Sequence, residues 1–315
     1  MNTMDEQQPG PEAAETGSAP TRCGLVALIG RPNVGKTTLM NRLVGEKLAA
    51  TTRRPHTTRN RILGIVTAAD DQIVLMDTPG IDRERTQLVN QVLNRTASHA
   101  LADADLVCFL VEAGRFDAGD EYIERAIRDS GRPALLVINK IDQYREKEAL
   151  LPFIEQRMQA FAYAGVVPIS AHRGSNLPGL IDEIRAHLPS GPFLYDPEQL
   201  SDRPERFRAE EMIREAMLER LGQEVPYAVA VRVESWADEP RTTHIDAVVL
   251  VERDSQKGIV IGKGGQRLKK IGQAARVQLE ELLGRKVMLR LTVRVEPDWT
   301  RSPRALRELG IEETR

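Results

Sequence analysis

Residues Gly30-Arg31-Pro32-Asn33-Val34-Gly35-Lys36-Thr37 follow the pattern G-x-x-x-x-G-K-[ST]. Leu25–Ile29 before them is a short apolar run that reads as a buried strand, and Thr38–Val44 after them is apolar at helical spacing. Strand, glycine loop and helix in this order are the setting of a phosphate-binding loop. Glycine lets successive backbone N–H groups turn inward, and the start of the helix adds partial positive charge. Lys36 is expected to reach the terminal phosphates of a nucleoside triphosphate, and Thr37 to offer its hydroxyl to magnesium. The loop residues Gly30, Arg31, Pro32, Asn33, Val34, Gly35, Lys36, Thr37 and Thr38 are all candidates for contact with the nucleotide.

Working outward, the 315 residues suffice for two ordinary domains. Hydrophobic residues are 41% and charged residues 29%, an ordinary globular composition, and the net charge of −2 gives no global sign of nucleic-acid binding. Cys23 and Cys108 lie in apolar runs and read as small buried hydrophobes in a reducing compartment, not as a disulfide or a metal pair. No apolar run approaches the ~18 residues of a membrane span, and the N-terminus has no signal pattern, so a cytoplasmic protein is expected. Residues 1–20 are polar and rich in Pro, Gly, Glu and Ala, the composition of a disordered extension, taken here as residues 1–21.

From 22 to 190 short apolar runs (25–29, 73–76, 106–111, 134–138, 166–169) alternate with helical patterns (87–101, 120–129, 146–160, 177–188). Continuous apolar strands imply a sheet covered on both faces, so this part is an α/β, mostly parallel, doubly wound domain. Residues 191–204 have the Pro- and Gly-rich composition of a linker. From 205 to 315 the pattern is a helix (205–221), an alternating strand (227–234), a strand (245–252), a helix pair (255–283) and a strand (287–295). Alternation predicts a small sheet solvated on one side, in a separate α+β domain.

Three more motifs follow the loop. Asn139-Lys140-Ile141-Asp142 ends the run 134–138, at the carboxyl end of a strand where such folds bind ligands. A carboxylate there accepts both the ring N–H and the exocyclic amino group of guanine; adenine offers no such donor pair. Asp77-Thr78-Pro79-Gly80-Ile81 follows the strand 73–76: the aspartate suits a magnesium shell and the Gly80 N–H a terminal phosphate. Ser170 and Ala171 close the strand 166–169 and offer backbone N–H groups to the guanine carbonyl. In Thr57-Thr58-Arg59 a hydroxyl is offered to magnesium, with Thr58 preferred over Thr57. The metal set is then Thr37, Thr58 and Asp77. Arg31, Arg53, Arg54, Arg59 and Arg61 are read as a solvated basic loop in preference to charge-supplying fingers.

The wording GRPNVGKTTLMN, HTTRNRILGI, DTPGI, NKID and SA, in this order, resembles the translation-factor-like superclass of GTPases and the Era family in particular. The resemblance implies hydrolysis of GTP, a switch between GTP and GDP forms, and magnesium as cofactor. Ile81 stands directly after Gly80, where no glutamine is available to orient the attacking water; catalysis would rest on positioning and charge, through Lys36, Thr58 and Gly80. Asn33 matches a loop asparagine that in related GTPases helps to hold potassium; the alternative is that it only shapes the loop.

The second domain carries Gly258–Gly272, with G-x-x-G at Gly262-Lys263-Gly264-Gly265. Glycines there bring the backbone close to a single-stranded nucleic acid. Between 257 and 294 ten basic residues face only Glu280 and Glu281, a local charge of +8, whereas 201–315 as a whole carries +2. The charge is concentrated where the clamp lies, as an electrostatic footprint should be. The wording VIGKGGxxLKxIG resembles a KH domain, and the element order looks like its type II form. Candidate RNA-binding residues are Ile261, Gly262, Lys263, Gly264, Gly265, Arg267, Lys269 and Lys270. The Era resemblance spans residues 22–310. It implies binding near the 3′ end of small-subunit (16S) rRNA and a role in maturing the 30S subunit, by a monomer. Membrane association is attributed to the family, as peripheral contact at the inner face of the cell membrane; no amphipathic stretch argues it from residues. Two rivals stand beside this reading: an RNA-binding scaffold with a merely structural nucleotide site, and a kinase with an RNA-binding appendage.

Overall fold

The computed structural model describes residues 21–52, 58–80, 88–144, 146–221 and 229–311, the side chains of 88–94 and 147 excepted. The N-terminal extension, Arg53, Arg54, Thr57 and Ile81 fall outside these residues.

The first sheet has six strands: β1 (Arg22–Ile29), β2 (Ile62–Thr67), β3 (Asp71–Asp77), β4 (Leu106–Glu112), β5 (Ala134–Asn139) and β6 (Gly165–Pro168). Their order is β2-β3-β1-β4-β5-β6, parallel throughout except for the antiparallel pair β2–β3. Five helices follow the strands: α1 (Lys36–Val44), α2 (Leu88–Asp103), α3 (Ala118–Ser130), α4 (Leu151–Ala160) and α5 (Leu177–Ala186). Successive side chains of a strand face opposite ways. In β1, Val26 and Leu28 accordingly pack with Leu39 and Met40 of α1 and Leu180 and Ile184 of α5. Ala27 and Ile29 pack on the other face, with Ala100 and Leu101 of α2 and Ile123 and Ile127 of α3. Two buried faces explain the continuous apolar strands.

The strand β2 was not among the runs read from sequence. Its outer edge is covered by the segment expected as a linker. The Ile65 N–H donates to the Leu200 carbonyl at 2.9 Å, the Ser201 hydroxyl to the Leu63 carbonyl at 2.7 Å, and the Leu63 N–H to Asp202 at 3.0 Å. Upstream, the fully buried Gln72 accepts the N–H groups of Leu194 and Tyr195 at 2.9 and 3.0 Å. The Pro-rich stretch is therefore laid along the sheet edge and protects it.

The second sheet is β7 (Val229–Asp238), β8 (Thr242–Val251) and β9 (Lys286–Val295), antiparallel and then parallel, in that order. With α6 (Glu205–Arg220), α7 (Asp254–Ile261) and α8 (Gln266–Leu283) the order is α-β-β-α-α-β, as the type II KH resemblance implies. Val229, Val231 and Val233 pack beneath α6 and α8. The opposite face was expected to be solvated. Instead Ala230, Val248 and Leu250 are buried under Trp299, Leu306 and Ile311 of the C-terminal segment, which includes α9 (Pro303–Glu308). The outer side of β9 keeps the expected exposure, at Met288, Arg290 and Arg294, as does His244 of β8.

Candidate functional site

The turn from β1 into α1 leaves the first N–H groups of α1 without a side-chain cap. Gly35 stands at φ 108°, and a Cβ on it would lie 2.3 Å from the Asn139 amide nitrogen. Asn33 also takes a positive φ of 62°. The Lys36 ammonium, 6% exposed, donates to the carbonyls of Gly30 at 2.9 Å and Arg31 at 3.0 Å. Burial pushes its pKa down to about 8, against the opposing pull of Asp77. The cleft over this turn measures about 470 Å³; its floor is the loop, and its walls are Ala50–Thr52, Thr58 and Gly80.

Beside the lysine three oxygen-bearing side chains converge. The Thr37 hydroxyl donates to Asp77 Oδ2 at 2.6 Å and lies 2.7 Å from the Thr58 hydroxyl, which is itself 3.4 Å from Asp77. Asp77 is fully buried, and burial raises its pKa to about 6 despite the Thr37 hydrogen bond. Its Oδ1 is buried with no protein partner. One Asp77 oxygen held by two hydroxyls and the other buried without a protein partner make a hard-oxygen donor set that suits Mg²⁺, so the residues fit the ion expected of them. Thr78, by contrast, spends its hydroxyl on the Leu28 carbonyl at 2.9 Å and shapes the turn.

At the base end, Asn139 ties two loops together: its amide donates to the Val34 carbonyl at 2.8 Å and accepts the Ala171 N–H at 2.9 Å. The Ser170 hydroxyl donates to Asp142 Oδ1 at 2.5 Å and accepts the Arg173 N–H at 3.0 Å. The exposed Asp142 carboxylate is thereby oriented by Ser170. The N–H groups offered to guanine from sequence have partners inside the protein, Ala171 with Asn139 and Ser170 with the Ser175 carbonyl at 3.1 Å. Lys140, at φ 68°, pairs with Glu112 at 3.0 Å, and Ile141 is buried beneath it.

The arginines depart from a solvated basic loop. Arg31 pairs with Asp117 at 2.6 Å and Asp120 at 2.9 Å, Arg61 with Asp103 at 3.5 Å. Arg59 donates to the Val229 carbonyl at 2.9 Å and lies over the Trp299 ring at 5.6 Å. Each answers an acid or carbonyl from a distant part of the chain, exposed in the case of Asp103, which sequence order does not reveal.

Sequence reasoning missed the α6 residues beside the cleft. Glu46 pairs with Arg208, Lys47 with Glu215, the Ala50 N–H with Glu211 at 3.3 Å, and the Thr51 hydroxyl with Glu215 at 3.2 Å. Glu211 is held in turn by Arg214 at 2.5 Å. Of the sixteen residues of α6 nine are buried, Glu211, Arg214 and Glu215 among them, so it has no simple polar face. That unusual burial of charge is the only local signal.

The G-x-x-G turn joins α7 to α8 with Gly262, Gly264 and Gly265 at positive φ. Beside it runs a groove of about 850 Å³ with an aliphatic floor of Leu268, Leu289 and Leu291 and the cations Lys269 and Arg276 at its sides. Lys263 and Lys270 are exposed; Arg267 donates to the Ile259 carbonyl at 2.6 Å and closes the end of α7. The floor leucines are absent from the candidates; for Leu289 and Leu291 the signal lay in the alternation of β9, and Leu268 stands within the VIGKGGxxLKxIG wording.

Two family profiles match the chain: one described as 50S ribosome-binding GTPase over residues 25–140, and one described as KH domain over residues 224–300. The GTPase Era of Stenotrophomonas maltophilia strain K279a is 45% identical over 293 residues, 93% of this chain and 98% of that protein. The GTPase Era of Coxiella burnetii strain Dugway 5J108-111 is 43% identical over 294 residues, 93% and 99% of the two chains. A crystal structure of Era in complex with MgGDPNP and nucleotides 1506–1542 of 16S ribosomal RNA superposes with a TM-score of 0.89 at 36% identity, over 92% of this chain and 99% of that one. An Aquifex aeolicus Era variant bound to GDP·AlF4⁻ gives the same TM-score, identity and coverage.

Proposed function

Because this chain belongs to the Era family of GTPases, we propose that it hydrolyses GTP in the cleft above Lys36 and thereby times its hold on the 3′ end of 16S rRNA during maturation of the 30S subunit. The observation that carries this reading is the Thr37–Asp77–Thr58 cluster beneath the cleft, on the same chain as an aliphatic, basic-sided groove. Thr37, Thr58 and Asp77 would hold Mg²⁺, which supplies charge neutralisation between the terminal phosphates. Lys36 would meet the same phosphates and Gly80 the last of them. Asp142, oriented by Ser170, would take the two guanine donors. Asn33 lines the cleft, and we assign potassium to it: turnover several-fold faster in potassium than in sodium supports the assignment, and equal rates remove it.

The groove, with the candidates Ile261–Gly265, Arg267, Lys269 and Lys270 beside it, would accept bases on Leu268, Leu289 and Leu291 and phosphates on its cations. Coupling runs through the loop that carries Thr58. Before it, Glu46, Lys47, Ala50 and Thr51 are held by α6; after it, Arg59 is held by the Val229 carbonyl. Drawing Thr58 toward a magnesium ion would pull on both fastenings and so on the second domain. A ligand shifts such an equilibrium only by its differential affinity. In this reading the protein works in the cytoplasm as a monomer. Any contact with the inner face of the cell membrane would be peripheral, since no helix among the described residues is long and apolar enough to cross one.

The test measures affinity for an RNA matching the 3′ end of 16S rRNA with GDP and with a non-hydrolysable GTP analogue, then GTP turnover with and without that RNA. A difference of about five-fold or more between the two nucleotides is expected for a coupling of ordinary size. Equal affinities would refute the coupling, and no RNA binding would refute the RNA half of the proposal.

A further inference from the structure

Arg31 is the second residue of the phosphate loop, where a cation could be taken for a charge supplied to the phosphates. Its guanidinium is already committed. Nη1 donates to Asp117 Oδ2 at 2.6 Å, and Nε lies 2.9 Å from Asp120 Oδ1. Both acids belong to the start of α3, as a capping box: Asp117 Oδ1 accepts the Gly119 N–H at 3.0 Å, and Asp120 Oδ2 accepts the Asp117 N–H at 3.1 Å. The Asp120 side chain is fully buried and that of Arg31 is 18% exposed, so the contact is screened by solvent far less than an ordinary surface pair. Room for the arginine stem comes from Gly119, where a Cβ would lie 2.8 Å from Arg31 Cδ.

The same short segment touches two groups assigned to the phosphates. The carbonyls of Gly30 and Arg31 receive the Lys36 ammonium at 2.9 and 3.0 Å. A Cβ on Gly80 would lie 2.5 Å from the Pro32 nitrogen and 2.7 Å from its Cα, so Gly80 rests against the next residue of the loop. We infer that Arg31 is a positioning residue of the GTPase reaction, clamped by Asp117 and Asp120 of α3 so that the Gly30–Pro32 backbone fixes the Lys36 ammonium and seats Gly80. This rests on the reading of Lys36 and Gly80 as phosphate-facing groups. Positioning sets the rate where the reaction is mostly a matter of geometry and charge, and small displacements are costly there.

The test uses the full-length protein. Arg31→Ala removes the clamp from the loop side. Gly119→Ala keeps every charge and raises helix propensity, yet crowds the arginine stem. Asp117→Asn keeps an equally good cap and removes one partner charge. Each is measured for kcat, KM, GDP affinity and melting temperature. Arg31→Ala is expected to lower kcat about ten-fold and Gly119→Ala about three-fold, with GDP affinity changed by less than about three-fold, because GDP lacks the phosphate that Gly80 meets. Groups acting through one contact are non-additive, so Arg31→Ala with Asp117→Asn should be no slower than Arg31→Ala alone. An unchanged kcat in both Arg31→Ala and Gly119→Ala, or additive losses in the double variant, would overturn the clamp. Lys36→Ala separates this from the underlying reading: if it leaves GTP binding intact, the phosphate assignment itself fails, whereas loss of binding there with normal kcat in Arg31→Ala overturns the clamp alone.

Discussion

Two glycine loops of this chain are assigned to phosphates, and they are built in opposite ways. At Gly35 both the backbone and the surroundings demand glycine: φ is 108°, and the space of a Cβ is filled by the Asn139 amide, itself fixed between Val34 and Ala171. At Gly264, φ is 57° and nothing lies within 4 Å of where a Cβ would be. The first loop is one piece of a packed core. The second is open at Gly264, where the only local demand is a left-handed backbone that asparagine also tolerates, although a Cβ on Gly262 at its start would lie 2.7 Å from the Arg267 Cβ. A rigid loop suits a reaction whose rate depends on placement, and an open one suits a chain whose bases vary from step to step.

The largest expected effect breaks the first loop. Gly35→Ala adds backbone strain and must also displace Asn139 or the loop; together these should lower kcat/KM for GTP about a thousand-fold, as read by phosphate release. A loss under ten-fold would mean that Gly35 is as tolerant a position as Gly264, and the contrast would collapse. Next comes Asp142→Asn, which removes the acceptor of two donor groups. GTP affinity should fall about a hundred-fold with no gain for ATP, measured by competition against a fluorescent guanine nucleotide. In the open loop the steps are smaller. Gly264→Val should weaken RNA binding about ten-fold and Gly264→Asn only about two-fold, because asparagine adopts the left-handed backbone and valine does not. Equal losses for the two would show that space, not backbone, decides that position.

The contrast also sorts what the sequence could reveal. The packed loop was legible because its constraints are local: glycine spacing, the strand before it and the helix after it lie within about twenty residues. Asp77, Asn139 and Asp142 were legible for the same reason, each closing an apolar run. What escaped depends on distant partners. The strand Ile62–Thr67 takes its outer partner from residues 200–202, which composition alone marked as a loose linker. Arg31 was read as solvated because Asp117 and Asp120 stand more than eighty residues away and reach it only through the β1–β4 pairing. The sheet face buried by Trp299, Leu306 and Ile311 was read as open because a chain end carries no pattern that says where it will dock. The fold class was readable, and so was the gathering of Lys36, Thr37, Thr58, Asp77 and Gly80 around one cleft, while the contacts between the two halves were not.

A last prediction tests α6, which lies between the nucleotide cleft and the second sheet. Glu210 neighbours Glu211 on α6, and its carboxylate accepts the Val233 N–H at 2.8 Å. Burial raises its pKa to about 7, the Val233 hydrogen bond and the nearby Arg232 and Arg206 oppose that, and Glu211 adds to it. The unfolded carboxyl titrates near 4.5, so between that pH and about 7 the folded form holds a proton that the unfolded form has released. Stability is therefore lost as pH rises through this window and levels off above it, by at most about 3 kcal/mol for a shift of this size. Glu210→Gln keeps an acceptor for Val233 and carries no charge, so it should be neutral near pH 4.5 and more stable than the parent at pH 8. Both tryptophans, Trp236 and Trp299, lie beyond α6, so their fluorescence during urea unfolding reports this half of the chain. A gain in urea midpoint at pH 8 that disappears at pH 4.5 is the expected result. A gain of equal size at both pH values would place the effect in packing and not in charge, and α6 would then hold the two halves together without a pH-dependent element at Glu210.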